Sequence, residues 1–197
     1  MYNSAVCACP EYRPHRSLVI SYFSNLGVGR ADSLLQAADA LSAVTPQLQL
    51  DIYGRAEEAD KIRFAQHPNI RFHGFVPSES LRGIADRSDI LLHVESFQAE
   101  IASRLRYAFS TKLAQYLCAG RPVLCYAPAD SASAEYLKRE KGALVAVNRS
   151  ELQNGLSQLI RDPALRTRYA DRAKQLGLKN HNRETTAAYV RQEIEAL

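Results

Sequence analysis

Nothing in this chain of 197 residues approaches an apolar run of membrane-spanning length, which argues against a helical membrane protein. The N-terminus lacks the charged head and apolar stretch of a secretory signal. Basic residues are not clustered: the net charge is +4 and lysines and arginines are interleaved with acids, so no nucleic-acid partner is read. His15, His67, His73, His93 and His181 are scattered without HxH or HExxH spacing, and no Asp-x-Asp pair is present. No metal site is therefore read. A receiver domain would need paired acids after its first strand, where Ser24-Asn25 stands instead. Neither a complete GxGxxG fingerprint nor a Walker loop occurs, and no internal repeat or low-complexity tract is present. Cysteine is sparse: Cys7 and Cys9 are too close for usual zinc spacing, while Cys118 and Cys125 sit among apolar residues and read as small core side chains. This usage points to a reducing compartment, and the expected location is cytoplasmic.

Hydrophobic residues make up 46% of the chain and charged residues 23%, ordinary for a globular domain that can bury its own core. Residues 1–16 show no periodicity and contain Pro10 and Pro14, so they read as a linker or severed connection, as at the start of a domain cut from a longer chain. Strands are expected at 18–23, 48–54, 70–76, 89–94, 122–126 and 143–147, each an apolar run or alternation. Helices are expected at about 31–43, 57–66, 77–87, 110–119, 133–141, 150–161, 163–176 and 183–196. Pro163 is placed to open a helix and Gly177 to close one. Residues 95–108 read as an irregular, mobile loop with a short helix inside. This alternation predicts an α/β domain: a doubly wound, Rossmann-like parallel sheet of about six strands with helices on both faces, plus C-terminal helices. The domain is drawn over 17–180, with 181–197 as a C-terminal helix. Ligands of such sheets bind beyond the carboxyl ends of the strands. The loops to watch are 24–30, 53–57, 75–79, 94–110 and 126–132.

Two helix starts at that edge are suited to anions. In Asn25-Leu26-Gly27-Val28-Gly29-Arg30, glycines let backbone N–H groups approach a phosphate and Arg30 offers a fork of donors. In Phe109-Ser110-Thr111-Lys112, a hydroxyl residue can cap the helix while Lys112 adds charge to its positive end. The plainer alternatives are a tight turn with a solvated arginine and an ordinary capped helix. Together the two starts point to a pyrophosphate site at which Arg30 and Lys112 stabilise a departing diphosphate without a metal.

The segments Tyr22-Phe23-Ser24-Asn25-Leu26-Gly27, Ile70-Arg71-Phe72-His73-Gly74-Phe75-Val76-Pro77, Ala85-Asp86-Arg87-Ser88-Asp89-Ile90-Leu91-Leu92 and Phe109-Ser110-Thr111-Lys112-Leu113-Ala114-Gln115-Tyr116-Leu117-Cys118-Ala119-Gly120-Arg121-Pro122-Val123-Leu124 carry a resemblance. In this order and spacing the chain resembles the C-terminal, donor-binding domain of the retaining GT-B glycosyltransferases of the "group 1" family, over most of 18–177. The resemblance implies a nucleotide-sugar donor, UDP- or GDP-linked, as substrate, with no further cofactor. It places Asn25, Gly27 and Gly54 by the diphosphate loop, Phe75 and Val76 at the base, and Ser110, Thr111 and Lys112 on the phosphates. It makes Arg30, Lys112 and Glu95 the catalytic candidates.

Three departures stand out. Gln115 occupies the place of an acid that binds the ribose hydroxyls, and an amide holds a diol more weakly than a carboxylate does. The family's glutamate eight residues earlier is here Tyr107, and Glu95-Ser96-Phe97 reads as that element displaced by an insertion over about 98–108. The acceptor-binding N-terminal domain is the implied partner, with Ala187, Val190 and Ile194 facing it; this isolated half is expected to be inactive. Lipid-linked acceptors and the arginines near 161–174 leave room for peripheral membrane contact at the inner face. Two alternatives remain at this stage: a non-catalytic nucleotide-binding or interaction module, and half of a nucleotide-sugar 2-epimerase.

Overall fold

A computed structural model describes residues 5–7 and 11–195. Cys9, Pro10 and Leu197 lie outside the described residues. Six parallel strands form one sheet: β1 (Ile20–Phe23), β2 (Leu50–Tyr53), β3 (Ile70–Gly74), β4 (Ile90–Val94), β5 (Val123–Tyr126) and β6 (Leu144–Ala146), in the order β3-β2-β1-β4-β5-β6. The helices are α1 (Arg30–Val44), α2 (Glu58–Ala65), α3 (Leu81–Asp86), α4 (Ala99–Leu105), α5 (Thr111–Cys118), α6 (Ala132–Glu140), α7 (Arg149–Arg161), α8 (Pro163–Asn180) and α9 (Arg183–Glu195). The Rossmann-like doubly wound expectation is met. The strand order reverses between β1 and β4, and a crevice opens beyond the carboxyl ends at such a point.

The strands are apolar almost throughout because both faces are covered. Successive side chains point to opposite faces. Ile20, Tyr22, Leu92 and Val94 enter a core with α1 and α7, whereas Phe23, Leu91, Val123 and Cys125 enter a second core with α5, α6 and α8. Pro163 is the first residue of α8, with the Asp162 side chain accepting from the Leu165 amide. Gly120, with φ of 61°, closes the α5 turn as expected.

Gly177 does not end a helix. It lies inside α8, buried, where a Cβ would come 2.8 Å from the Leu117 carbonyl carbon, so its bareness lets α8 pack against the α5 backbone. Residues 95–108 contain α4. Of the expected linker, Tyr12 is buried: its hydroxyl donates to Asp89 and accepts from Arg166, and burial followed by the Asp89 charge pushes its pKa up to about 12. Ala5 pairs with Asn182 in an isolated parallel bridge.

Cys118 is not a free core thiol. It is bonded to Cys7, across 111 positions, which removes the cysteine argument for a reducing compartment. Cys125 is free and buried. Among the described residues no helix is long and apolar enough to cross a membrane. No residue of α9 is buried, and Tyr189 and Ile194 are exposed on it.

Candidate functional site

The first wall of the site is the turn from β1 into α1. Tyr22 donates its hydroxyl to the Asn25 carbonyl, and the Asn25 side chain accepts from the Gly27 amide at 3.0 Å. Leu26 is buried and pins the turn from below. Val28 and Gly29 both take the left-handed conformation, with φ of 59° and 72°. At Gly29 a side chain would also strike the Ser96 hydroxyl, so the helix starts tight against the end of β4. No side chain caps α1, which leaves its first amides to other acceptors.

The second wall is α5. Ser110 takes the cap position, but its side chain makes no capping bond. Tyr116 ties this helix to β1: its hydroxyl accepts from the Phe23 amide at 2.9 Å and donates to the Phe23 carbonyl at 3.2 Å. Lys112 donates to the Gln115 amide oxygen at 3.1 Å. Burial lowers the lysine pKa, because a partly dry pocket disfavours the ammonium.

Between these walls lies a cavity of ≈ 270 Å³, and Asn25, Gly54, Phe75, Val76 and Lys112 all line it. The strand ends thus bring five of the expected residues to one place. Gly54 is bare because a Cβ there would run into the Ser24 carbonyl. Phe75 stands exposed at the rim with the Arg55 guanidinium 4.5 Å from its ring centroid. Gln115 borders an adjoining cavity, which shares Phe23, Ser78 and Leu81 with the first. Gly27 faces a third hollow on the other side of the loop. Ser110 and Thr111 do not line the Lys112 cavity.

Arg30 does not line this cavity. Its Nε and Nη2 donate to Glu95 Oε2 at 3.0 and 2.8 Å, and Nη1 donates to the Asn25 carbonyl at 3.3 Å. Of the expected pair of cations, Lys112 lines the cavity, whereas Arg30 is bonded to Glu95 outside its lining. The cause is the buried Glu95 carboxylate, which needs a counter-ion. Burial pushes the Glu95 pKa up, but His93 and Arg30 together hold it below the usual carboxylate range. Among the described residues, no group of three or more His, Cys, Asp or Glu is placed to hold a metal ion.

Tyr116, His93 and Arg55 were not among the sequence candidates. Arg55 had a signal, since it follows Gly54 in a strand-end loop. Tyr116 and His93 had none, because their roles depend on contacts across the sheet.

The "Glycosyl transferase-like" family model matches residues 30–192. None of the curated proteins matches. Among solved structures, pneumococcal O-GlcNAc transferase GtfA in complex with UDP and GlcNAc is similar with a TM-score of 0.68 and 16% identity, over 98% of this chain and 38% of GtfA. Anabaena Alr3699/HepE in complex with UDP and glucose gives a TM-score of 0.71 and 16% identity, over 92% of this chain and 49% of HepE. The C-terminal domain of LpcC, a glycosyl transferase group 1 family protein of Francisella tularensis, gives 0.64 and 17%, over 93% of this chain and 100% of that domain. The chain spans less than half the length of GtfA and HepE. At such identities the likeness is one of fold. The family match covers β2 to β6 and the α5 wall of the cavity, and the chain belongs to the glycosyl transferase-like family, with the fold of a C-terminal GT-B domain.

Proposed function

We propose that this domain binds the nucleoside diphosphate of a sugar donor, UDP- or GDP-linked, in the Lys112 cavity. The whole enzyme would transfer the sugar to an acceptor hydroxyl with retention and without a metal. One observation carries this reading: Lys112 shares a cavity with Asn25, Gly54 and Phe75 at the point where the strand order reverses. The loop amides and the ammonium would hold the diphosphate and stabilise its charge as the sugar leaves. Phe75 and Val76 would border the base, and Gln115 the ribose. The UDP in the GtfA and HepE structures supports the ligand class. The acceptor would be held by an N-terminal domain, so the isolated chain would bind donor without transferring sugar.

Calorimetry with UDP and GDP tests this. Lys112→Ala should weaken UDP binding at least tenfold, since a charge-assisted hydrogen bond is worth roughly 1.5–3 kcal/mol. Absence of heat at millimolar UDP in the unsubstituted chain would overturn the reading.

A second reading, a non-catalytic nucleotide-binding or interaction module, draws on Gln115, whose amide oxygen is already occupied by Lys112. Donor turnover by the complete protein separates the two. The epimerase reading lacks its acids: among the described residues no Asp or Glu lines the Lys112 cavity.

A further inference from the structure

Glu95 is an acid that the family reading leaves without a job that its surroundings permit. Its side chain is only 3% exposed, and Arg30 takes one oxygen with two nitrogens. His93 Nε2 lies 3.2 Å from the other oxygen, out of line, so that buried nitrogen has no well-formed hydrogen bond. The backbone of Glu95 is held as well. Its amide donates to the Tyr126 carbonyl on β5, and its carbonyl accepts from the Ser33 hydroxyl on α1. Glu95 is therefore fastened to β5, to α1 and to the Arg30 side chain at once. The remaining nitrogen of Arg30 donates to the Asn25 carbonyl, which also accepts from Tyr22.

We propose that Glu95, through Arg30, is a positioning residue that locks the 24–30 loop to the end of β4 and sets its amides for a diphosphate. The path runs from β4 to the Glu95 carboxylate, to the Arg30 guanidinium, to the carbonyl of Asn25, a residue that lines the cavity. Arg30 is taken up by Glu95 and the loop carbonyl, and Lys112 is the cation that lines the cavity. The inference rests on the donor-site reading for its ligand, but not for the loop geometry.

The sign of one substitution separates this from direct electrostatics. A carboxylate beneath a phosphate site repels the ligand, so neutralising it would tighten binding if charge alone mattered. Neutralising it also frees Arg30, which would tighten binding further if Arg30 were a phosphate ligand held in reserve. If the carboxylate positions the loop, the same change loosens binding.

The experiment pairs amide hydrogen exchange of the ligand-free chain with UDP calorimetry, for the unsubstituted chain, Glu95→Gln and the double variant Arg30→Gln/Glu95→Gln. The double variant leaves no unpaired charge behind, so it remains readable where the single variant folds poorly. Exchange at residues 24–30 should rise at least tenfold in both variants, with β5 and α8 unchanged, and UDP binding should weaken about tenfold in both. Unchanged exchange in the loop would overturn the proposal, as would tighter UDP binding by Glu95→Gln. Should the unsubstituted chain bind no UDP while loop exchange still rises in the variants, the donor reading fails and the positioning role stands.

Discussion

Single residues at the β1–α1 turn show how backbone constraint and site geometry meet. Val28 is half exposed, yet it takes a left-handed conformation that is costly for a β-branched side chain. Such a conformation costs about 1–2 kcal/mol in a non-glycine residue, against roughly 0.5–1 kcal/mol for the freedom that glycine loses. Val28→Gly should therefore leave stability unchanged or raise it by up to about 1.5 kcal/mol, read as a shift in the urea midpoint. A loss of similar size would mean that the valine side chain packs in a way that outweighs its strain. At this scale the sequence was readable where a residue acts alone. Gly27, Gly54 and Lys112 could be picked out as strand-end residues at a helix start or turn. Glu95 was readable as a candidate but not in its partners, because Arg30 lies 65 positions away from it. Nothing in local pattern joins residues so far apart.

Elements were the most legible level. Buried parallel strands are apolar on both faces, so runs such as Ile90-Leu91-Leu92 stand out against charged helices. Helix ends were less so. The glycine at 177 carries the usual signal of a helix stop, but in the folded chain it serves the contact between α8 and α5. A methyl group added there would press on the backbone of Leu117 and Cys118, which cannot turn aside. Gly177→Ala should cost about 1–3 kcal/mol, as overpacking does, and thermal melting would show it. Because α5 carries Lys112, the same substitution should weaken UDP binding, while a surface alanine elsewhere on α8 should not. An unaltered melting temperature would show that the helices separate freely.

The whole molecule is closed by contacts that no segment announces. Cys7 and Cys118 are joined, Ala5 pairs with Asn182, and Tyr12 links Asp89 to Arg166. A segment without periodicity is thereby held on the same side as α5 and the start of α9. A bond that closes so long a loop restricts the unfolded chain, an effect of about 2–4 kcal/mol in typical cases. Urea unfolding with and without dithiothreitol should show a lower midpoint under reduction, and Cys7→Ser/Cys118→Ser should match the reduced chain. Equal midpoints in the presence and absence of reductant would show that the bond contributes nothing to stability.

The order of strands and helices, the sheet edge that carries the Lys112 cavity and the place of Lys112 in a helix start followed from the sequence, because hydrophobic period and turn chemistry act over a few residues. The pairing of Arg30 with Glu95, the union of Cys7 with Cys118 and the role of Gly177 were decided only when the sheet assembled. They join residues distant along the chain, and burial in the assembled fold is what gives a carboxylate its need for a partner and a glycine its close neighbour.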